Sequence, residues 1–425
     1  MRARYRRPKW AITAFGRRSS RLRSESSPVN EISQQGAGVV QEADVLVIGG
    51  GLHGTSSAFH LACGGASVIV LEADYVARHS SGVNAGGVRT LGRPLPEIPL
   101  ALMSREMWHT LPEIVGDDGG FVPSGQLKIA ETQAEFEECR ERVDLLEAHG
   151  FTHEKLIDRE MVLELEPALA PHVTGGIWVE RDGYALPFRT TTAFRLAAQR
   201  RGVSFHEGTP VARIEQRGER WYVQTPRGWF AAGKMLIAAG AWSGDLALQA
   251  GEPVPVHPEG LMLMVTHRVA PFCKATLGAT GRPLSFKQFH NGTVVIGGKL
   301  IGVADLPGRH GEVDFMRLVK SAQTVVDLFP HLRHLGINRA WAGVEAFTDD
   351  ALPVISASRT ASNLYYSFGY CGSGFQLGPA CGQLVAQMMI DGTTSLPLDA
   401  FAIDRSFAVT DASPMPSTAG HHPVA

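Results

Sequence analysis

The first clear pattern along the chain is a pair of apolar runs around a glycine-rich turn, DVLVIGGGLHGTSSAFHLACGGASVIVLEAD, residues 44–74. Asp44–Ile48 and Val68–Leu71 are short and continuously apolar, with no polar alternation. Such runs predict strands covered on both faces, as in a parallel sheet. The segment from about Leu52 to Ala62 predicts a helix between them. Further on the period changes. TQAEFEECRERVDLLEAHG, residues 132–150, carries apolar positions at helical spacing and stops at Gly150. SFKQFHNGTVVIGGKL, residues 285–300, predicts an antiparallel hairpin turned at Asn291–Gly292. No internal repeat is present, and no run of ~18 apolar residues predicts a membrane-crossing helix.

The turn after the first strand has its own chemistry. Gly49, Gly51 and Gly54, with Gly50 between them, match G-x-G-x-x-G. Gly49 suits a tight turn, Gly51 a close approach of backbone to a pyrophosphate, and Gly54 a helix packed hard against its strand. The helix that follows points its free N–H groups at the phosphates. Glu72 closes the second strand, where an acid can bind the hydroxyl pair of a ribose. Strand, turn, helix, strand and acid in register predict a dinucleotide, either FAD or NAD. A second glycine-rich loop, RHSSGVNAGGVRTLGR at residues 78–93, favours FAD.

Composition narrows the class. At 44% hydrophobic and 19% charged residues, the 425-residue chain has an ordinary globular balance and room for one or two domains. The formal charge of −2 conceals an uneven distribution. Residues 1–24 hold eight Arg and one Lys and no acid, which leaves 31 basic against 42 acidic residues in the remainder. So acidic a body argues against nucleic acid as a partner. The basic start, residues 1–41, is expected to be a disordered extension. Its Arg6–Arg7 pair suggests export and its Arg/Ser composition a transit peptide, but the apolar run Trp10–Phe15 is short for a signal. Five cysteines (Cys63, Cys139, Cys273, Cys371, Cys381) form no CxxC pair, so neither a disulfide framework nor a metal site is expected. A reducing, cytoplasmic setting fits.

Over Val45 to about Arg405 the motifs resemble the D-amino-acid oxidase superfamily of flavoproteins. The likeness is strongest to sarcosine oxidases and to the flavoprotein subunits of opine oxidases and D-hydroxyproline dehydrogenases. Ser80, Ser81, Asn84, Ala85, Gly86 and Gly87 resemble the loop that crosses the flavin. GTPVARIE resembles the strand whose valine, here Val211, meets the adenine. MLIAAGAWS resembles the strand returning to the cofactor, with Ala239, Gly240 and Trp242 beside it. WAGVEAFTDDALPVI and FGYCGSGFQLGPACG resemble the motifs closing over the isoalloxazine, with Gly372, Gly374, Phe375 and Gln376 near it. The resemblance implies an α/β (α+β) fold with a Rossmann-type FAD-binding domain from 42–115, 180–250 and 340–405. A discontinuous antiparallel-sheet substrate domain would come from 116–179 and 251–339, with a loose tail over 406–425.

The implied activity is oxidation of a C–N bond by hydride transfer to flavin N5, followed by imine hydrolysis. Departures from the family matter. Glu345 stands where sarcosine oxidases carry the cysteine that attaches FAD, so FAD is expected to be non-covalent. Gln376 stands where they carry a carboxylate-binding lysine. Arg89 is therefore the expected carboxylate partner with Gln376 beside it, and Arg93 lies in the same loop. RDGYALPFRT offers no histidine for a covalent FMN. His53, His257 and His290 are expected to have packing or surface roles, and the His421–His422 pair a solvated tail rather than a metal site. Partners expected are a small amino acid or amine, and either small partner subunits or a respiratory electron acceptor. The alternatives are a flavoprotein subunit of a multi-subunit opine or D-hydroxyproline dehydrogenase, a free oxidase, an NAD-dependent dehydrogenase, and a non-enzymatic electron-transfer or assembly subunit that binds FAD.

Overall fold

The computed structural model describes residues 40–408. Nearly all of the basic extension and the end of the tail, His421 and His422 included, lie outside them.

Gln41–Ile48 is an inner strand of an eight-stranded sheet. It runs parallel to Val68–Leu71 on one side, and Val68–Leu71 runs parallel to Ser204–His206. On its other side Gly228–Ile237 and then Leu364–Phe368 are also parallel. Val354–Ala357 ends this edge in the antiparallel sense. Arg220–Thr225 and Arg213–Arg217 extend Gly228–Ile237 as an antiparallel ribbon. The continuous apolar run of the first strand has a direct cause. Val45 and Val47 enter one core with the helices Leu52–Cys63, Pro187–Arg200 and Gly374–Asp391. Leu46 and Ile48 enter a second core with Trp221, Phe230, Tyr366 and Phe368. Both faces are dry, so neither set of alternating positions can be polar.

Helix Leu52–Cys63 lies against Gly374–Asp391 at backbone distance. A Cβ on Gly378 would fall 2.4 Å from Leu52 Cδ2, and one on Gly382 would lie 2.1 Å from Ser56 Oγ. Only glycine permits this approach.

The second sheet has ten strands and is antiparallel except where Thr276–Ala279 runs parallel to Gln126–Ala130. Its longest pairing joins Val256–Thr266 to Ile337–Thr348. All of Ile337–Thr348 belongs here, so the change between sheets falls after Thr348 rather than near 340. Ser285–Gln288 and Val294–Gly297 form the antiparallel pair around Asn291–Gly292. Leu127, Ile129, Phe286, Ile296, Leu328 and Phe329 fill the core between this sheet and helix Phe315–Leu328. The helix Gln133–Ala148 starts at a capping box: Thr132 accepts from the Glu135 N–H, and the Glu135 carboxylate accepts from the Glu131 N–H. Its sequence pattern and Gly150 stop are those of the amphipathic segment.

The other face of the second sheet meets the loop Ser80–Gly87. Trp341 Nε1 donates to Val83 O at 2.8 Å, Ser80 Oγ to Val344 O, and Lys287 Nζ to Ala85 O. The loop is thereby held between the two sheets.

Candidate active site

Gly49 turns the chain at φ +110°, and a Cβ there would lie 2.4 Å from Ala238 O on the neighbouring strand. At Gly54 a Cβ would lie 2.0 Å from Gly49 O, which brings the helix start onto its own strand. Glu72 sits under this turn, 7% exposed. Its carboxylate accepts from Gly50 N at 2.6 Å and from Asp74 N at 2.8 Å. Burial raises its pKa, while those two N–H groups pull the other way. Glu72 therefore ties the glycine turn to the end of the second strand, a structural task added to any contact with a ribose. Ser81 Oγ accepts from Leu52 N at 2.9 Å, so the loop is anchored at the helix N-terminus. Asn84 folds the loop back, donating to Ser80 O and accepting from Gly86 N, both at 2.7 Å.

Ala239, Gly240 and Trp242 follow the strand Gly228–Ile237, and the Trp242 indole leans on His79 with centroids 4.7 Å apart. Val211 lies two residues before the strand Arg213–Arg217 instead of within it, packed against the core of the first sheet. Gly374 begins the last long helix, three residues earlier than a start after Gln376, so Phe375 and Gln376 belong to its first turn. Phe375 packs on Trp108 with centroids 5.1 Å apart.

The spaces between these groups fit a flavin. Side chains grown from Gly87 or Gly240 would meet nothing within 4 Å. One from Gly372, at φ +79°, would meet only Glu345, Lys299 and Leu261, none nearer than 3.9 Å. Glycines with open space beside them thus lie at the loop, at the returning strand and before the final helix.

The charged groups gather on one side of that room. Arg93 is 2% exposed: Nε donates to Arg89 O, Nη2 to Gln376 Oε1 at 3.4 Å, and Nη1 faces Glu97 at 3.6 Å. Burial lowers its pKa to about 10, with Arg89 adding to the effect. Arg89 is half-buried and makes one side-chain hydrogen bond among the described residues, from Nη1 to Leu91 O at 2.7 Å. Gln376 is 1% exposed, and its Nε2 donates to Ala101 O at 2.8 Å. Its Oε1 faces Arg93 and one of its two N–H donors is taken by Ala101 O.

Three buried acids hold the Arg89–Arg93 segment. Asp182 accepts from Thr90 N, Thr90 Oγ1 and Leu91 N at 2.7–3.0 Å. Glu154 accepts from Gly92 N at 2.7 Å and also binds Arg142. Glu97, 0% exposed, faces Arg93. Sequence reasoning missed these acids, and it missed Lys299 and Lys287. Lys299 is within electrostatic reach of Arg89 and Arg93, and burial lowers its pKa. Lys287 lies within the strand Ser285–Gln288, and Lys299 in the bend between the strands Val294–Gly297 and Ile301–Asp305. Glu345 faces Gly372 and stands opposite Glu259 across the strand pair. Burial raises the Glu345 pKa to about 7 against the pull of Lys299. His53 stacks on Tyr370 with centroids 3.6 Å apart, and burial lowers its pKa to about 3, so it stays neutral. His257 pairs with Asp349 at the surface, and His290 is exposed in its turn. Among the described residues no group of His, Cys, Asp and Glu could hold a metal ion.

The sequence profile of the FAD dependent oxidoreductases matches residues 44–388. The chain belongs to this family. The FAD dependent oxidoreductase is 29% identical over 382 residues to glycine oxidase of Geobacillus kaustophilus, covering 85% of this chain and 97% of that one. It is 25% identical to the beta chain of sarcosine oxidase of Rhizobium meliloti (85% and 88% covered), which is named as a subunit. It is 26% identical to an opine oxidase subunit of the same species (86% and 98%). The solved structure of the Geobacillus glycine oxidase superposes with a TM-score of 0.80 over 86% of this chain and 100% of that one, at 25% identity. FAD is the cofactor, and Gly49, Gly51, Glu72, the Ser80–Gly87 loop, Gly240 and Gly372 are the residues here that would hold it. No helix of the described residues is long and apolar enough to cross a membrane.

Proposed function

We propose that the protein oxidises the C–N bond of an amino acid or secondary amine, and that water then hydrolyses the imine. FAD, when bound, supplies the electron sink for the departing hydride. The chain's own residues bind and orient the substrate so that its hydrogen faces that sink, which is the larger part of such catalysis. The observation that supports this reading is the gathering of Arg89, Arg93 and Lys299 beside Gly372, whose Cβ position lies 3.9 Å from Lys299. Of the two arginines, Arg93 is the more buried and already faces Gln376, Glu97 and Arg89 O, which makes the Arg89 guanidinium the better partner for a substrate carboxylate. An unpaired carboxylate in such an enclosed place is costly, so a cation there argues for an anionic substrate. Glu345 in place of the attachment cysteine supports non-covalent FAD.

A second reading makes the chain the flavoprotein subunit of a multi-subunit dehydrogenase, supported by the similarity to two proteins named as subunits. All five cysteines are unpaired, which supports a reducing, cytoplasmic setting. The test is product trapping. D- and L-amino acids, N-methyl amino acids, prolines and opines are offered with an artificial electron acceptor, and carbonyl products are captured with phenylhydrazine. A trapped carbonyl product from at least one of them is expected. None from the isolated chain, but one after its genomic neighbours are co-expressed, supports the subunit reading.

A further inference from the structure

The face of the second sheet that meets the loop Ser80–Gly87 carries two acids opposite each other. Glu345 on the strand Ile337–Thr348 is in register with Glu259 on Val256–Thr266. Their orientation follows from the strand period. Trp341 donates to Val83 O, and a Cβ on Gly343 would lie 2.7 Å from Val83 Cγ2, so both positions face the loop. Glu345, two residues further along, faces the same way. There it meets the segment leading into the last helix, which Cys371 N ties to Ala346 O at 3.1 Å. A Cβ on Gly372 would lie 3.9 Å from Glu345 Oε2, 3.9 Å from Lys299 Cε and 4.0 Å from Leu261 Cδ1. The bend that aims Lys299 here takes the left-handed conformation, φ +58°, uncommon for a residue with a side chain.

Both charges border an opening. Lys299 is exposed and Glu345 half-buried. Yet burial dominates the surroundings of each, raising the Glu345 pKa and lowering that of Lys299. Open surface combined with strong desolvation marks the wall of a cleft. No other side chain closes a hydrogen bond or ion pair with Glu345 among the described residues; Lys299 and Glu259 act on it by charge, and the Gly372 N–H leans toward it. It differs in this from the neighbouring acids Asp182 and Glu154, whose oxygens accept from backbone N–H groups. Two carboxylates side by side across a strand pair repel each other. Lys299 is the one cation that bears on both. It is itself repelled by Arg89 and Arg93. The cleft is therefore polarised, with guanidinium groups toward one end and carboxylates at the other, and a second cation beside the acids would relieve it.

We propose that Glu345 holds the ammonium group of the substrate, so that the site takes a dipolar ligand with its carboxylate toward Arg89 and its nitrogen at Glu345. The role rests on the reading of the substrate as an amine, and it names the group that recognises the nitrogen. An ammonium there supplies the missing cation and donates its N–H groups to oxygens that no other side chain uses. The same carboxylate selects against other acids. A hydroxy acid or a plain carboxylic acid brings no cation and leaves the Glu345 charge enclosed and unpaired. The role is recognition: no bond is made or broken at Glu345.

The experiment titrates the FAD-loaded protein, without oxygen, with three small ligands of matched shape. N-methylglycine carries both charges, dimethylammonium only the cation and butyrate only the anion. Binding is read from the flavin absorbance or, where a ligand reduces the flavin, from the concentration dependence of that reduction. In the wild type N-methylglycine should bind more tightly than butyrate, and dimethylammonium should compete with it. Glu345→Gln keeps the shape of the side chain and removes its charge. It should weaken N-methylglycine and dimethylammonium by roughly 10- to 100-fold, the scale of one hydrogen bond to a charged group, and leave butyrate as tight or tighter. Unchanged affinities in that variant would overturn the role. So would an equal loss for all three ligands, which would make Glu345 a prop for Lys299. The wild-type comparison needs no variant: butyrate binding as tightly as N-methylglycine overturns the role even where Glu345→Gln does not fold. Binding through Glu345 with no reduction of the flavin by any amine would uphold the ammonium site and contradict the oxidation reading alone.

Discussion

At the scale of single residues, two side chains carry most of the argument. Glu72 joins the glycine turn to the second strand and is also the acid expected at the ribose. Glu72→Ala removes a charge-assisted interaction of about 1.5–3 kcal/mol, a 10- to 100-fold loss of affinity. FAD titration followed by flavin fluorescence should show that loss, and an unchanged dissociation constant would remove Glu72 from the cofactor site. Arg89 is the other. Arg89→Ala should raise KM for a carboxylate substrate by roughly 10- to 100-fold, on the same scale for a hydrogen bond to a charged group. The flavin should stay bound. Intact kinetics in that variant would mean the substrate's anion, if it has one, sits elsewhere. The motif around Gly49 and Glu72 was legible because each residue type has a backbone or charge reason to be there. Gln376 was legible in position, but its hydrogen-bond partners were not. One turn of helix begun at Gly374 carries its amide onto Ala101 O, and nothing in the linear sequence announces that contact.

At the scale of elements, the parallel strands could be read directly because both faces of Gln41–Ile48 are covered. The roof sheet could be read only in part. Its strands are short, and several pair with partners far away in sequence, as Thr276–Ala279 does with Gln126–Ala130. The change of sheet after Thr348 has the same cause: Ile337–Thr348 is defined by its pairing with Val256–Thr266. The close contact of helices Leu52–Cys63 and Gly374–Asp391 is an element-level device. It couples the phosphate end of the cofactor cradle to the end that carries Gly372. Gly382→Val places branched carbon where Ser56 already lies 2.1 Å from a Cβ position, so the helices must part. The expected result is destabilisation of about 1–3 kcal/mol by overpacking, read as a lower thermal midpoint together with weaker FAD retention. Gly392→Ala, whose Cβ would meet nothing within 4 Å but whose φ is +72°, should lower the midpoint without weakening FAD retention.

At the scale of the whole molecule, the two sheets hold between them the loop Ser80–Gly87, and FAD is the cofactor of the family. With Glu345 at the attachment position, the flavin should be held by contacts alone. Acid precipitation of the yellow protein should therefore leave the flavin in the supernatant; flavin remaining with the pellet would contradict that assignment. The central claim is that bound FAD takes electrons from the C–N bond of an amine. The most direct measurement is anaerobic bleaching of the flavin absorbance near 450 nm against a panel of amino acids, N-methyl amino acids, prolines and opines, with matched 2-hydroxy acids as controls. The account predicts bleaching by one or more of the amines and none by the hydroxy acids. A flavin that dithionite reduces fully, yet that no amine bleaches or that a hydroxy acid bleaches instead, would contradict it.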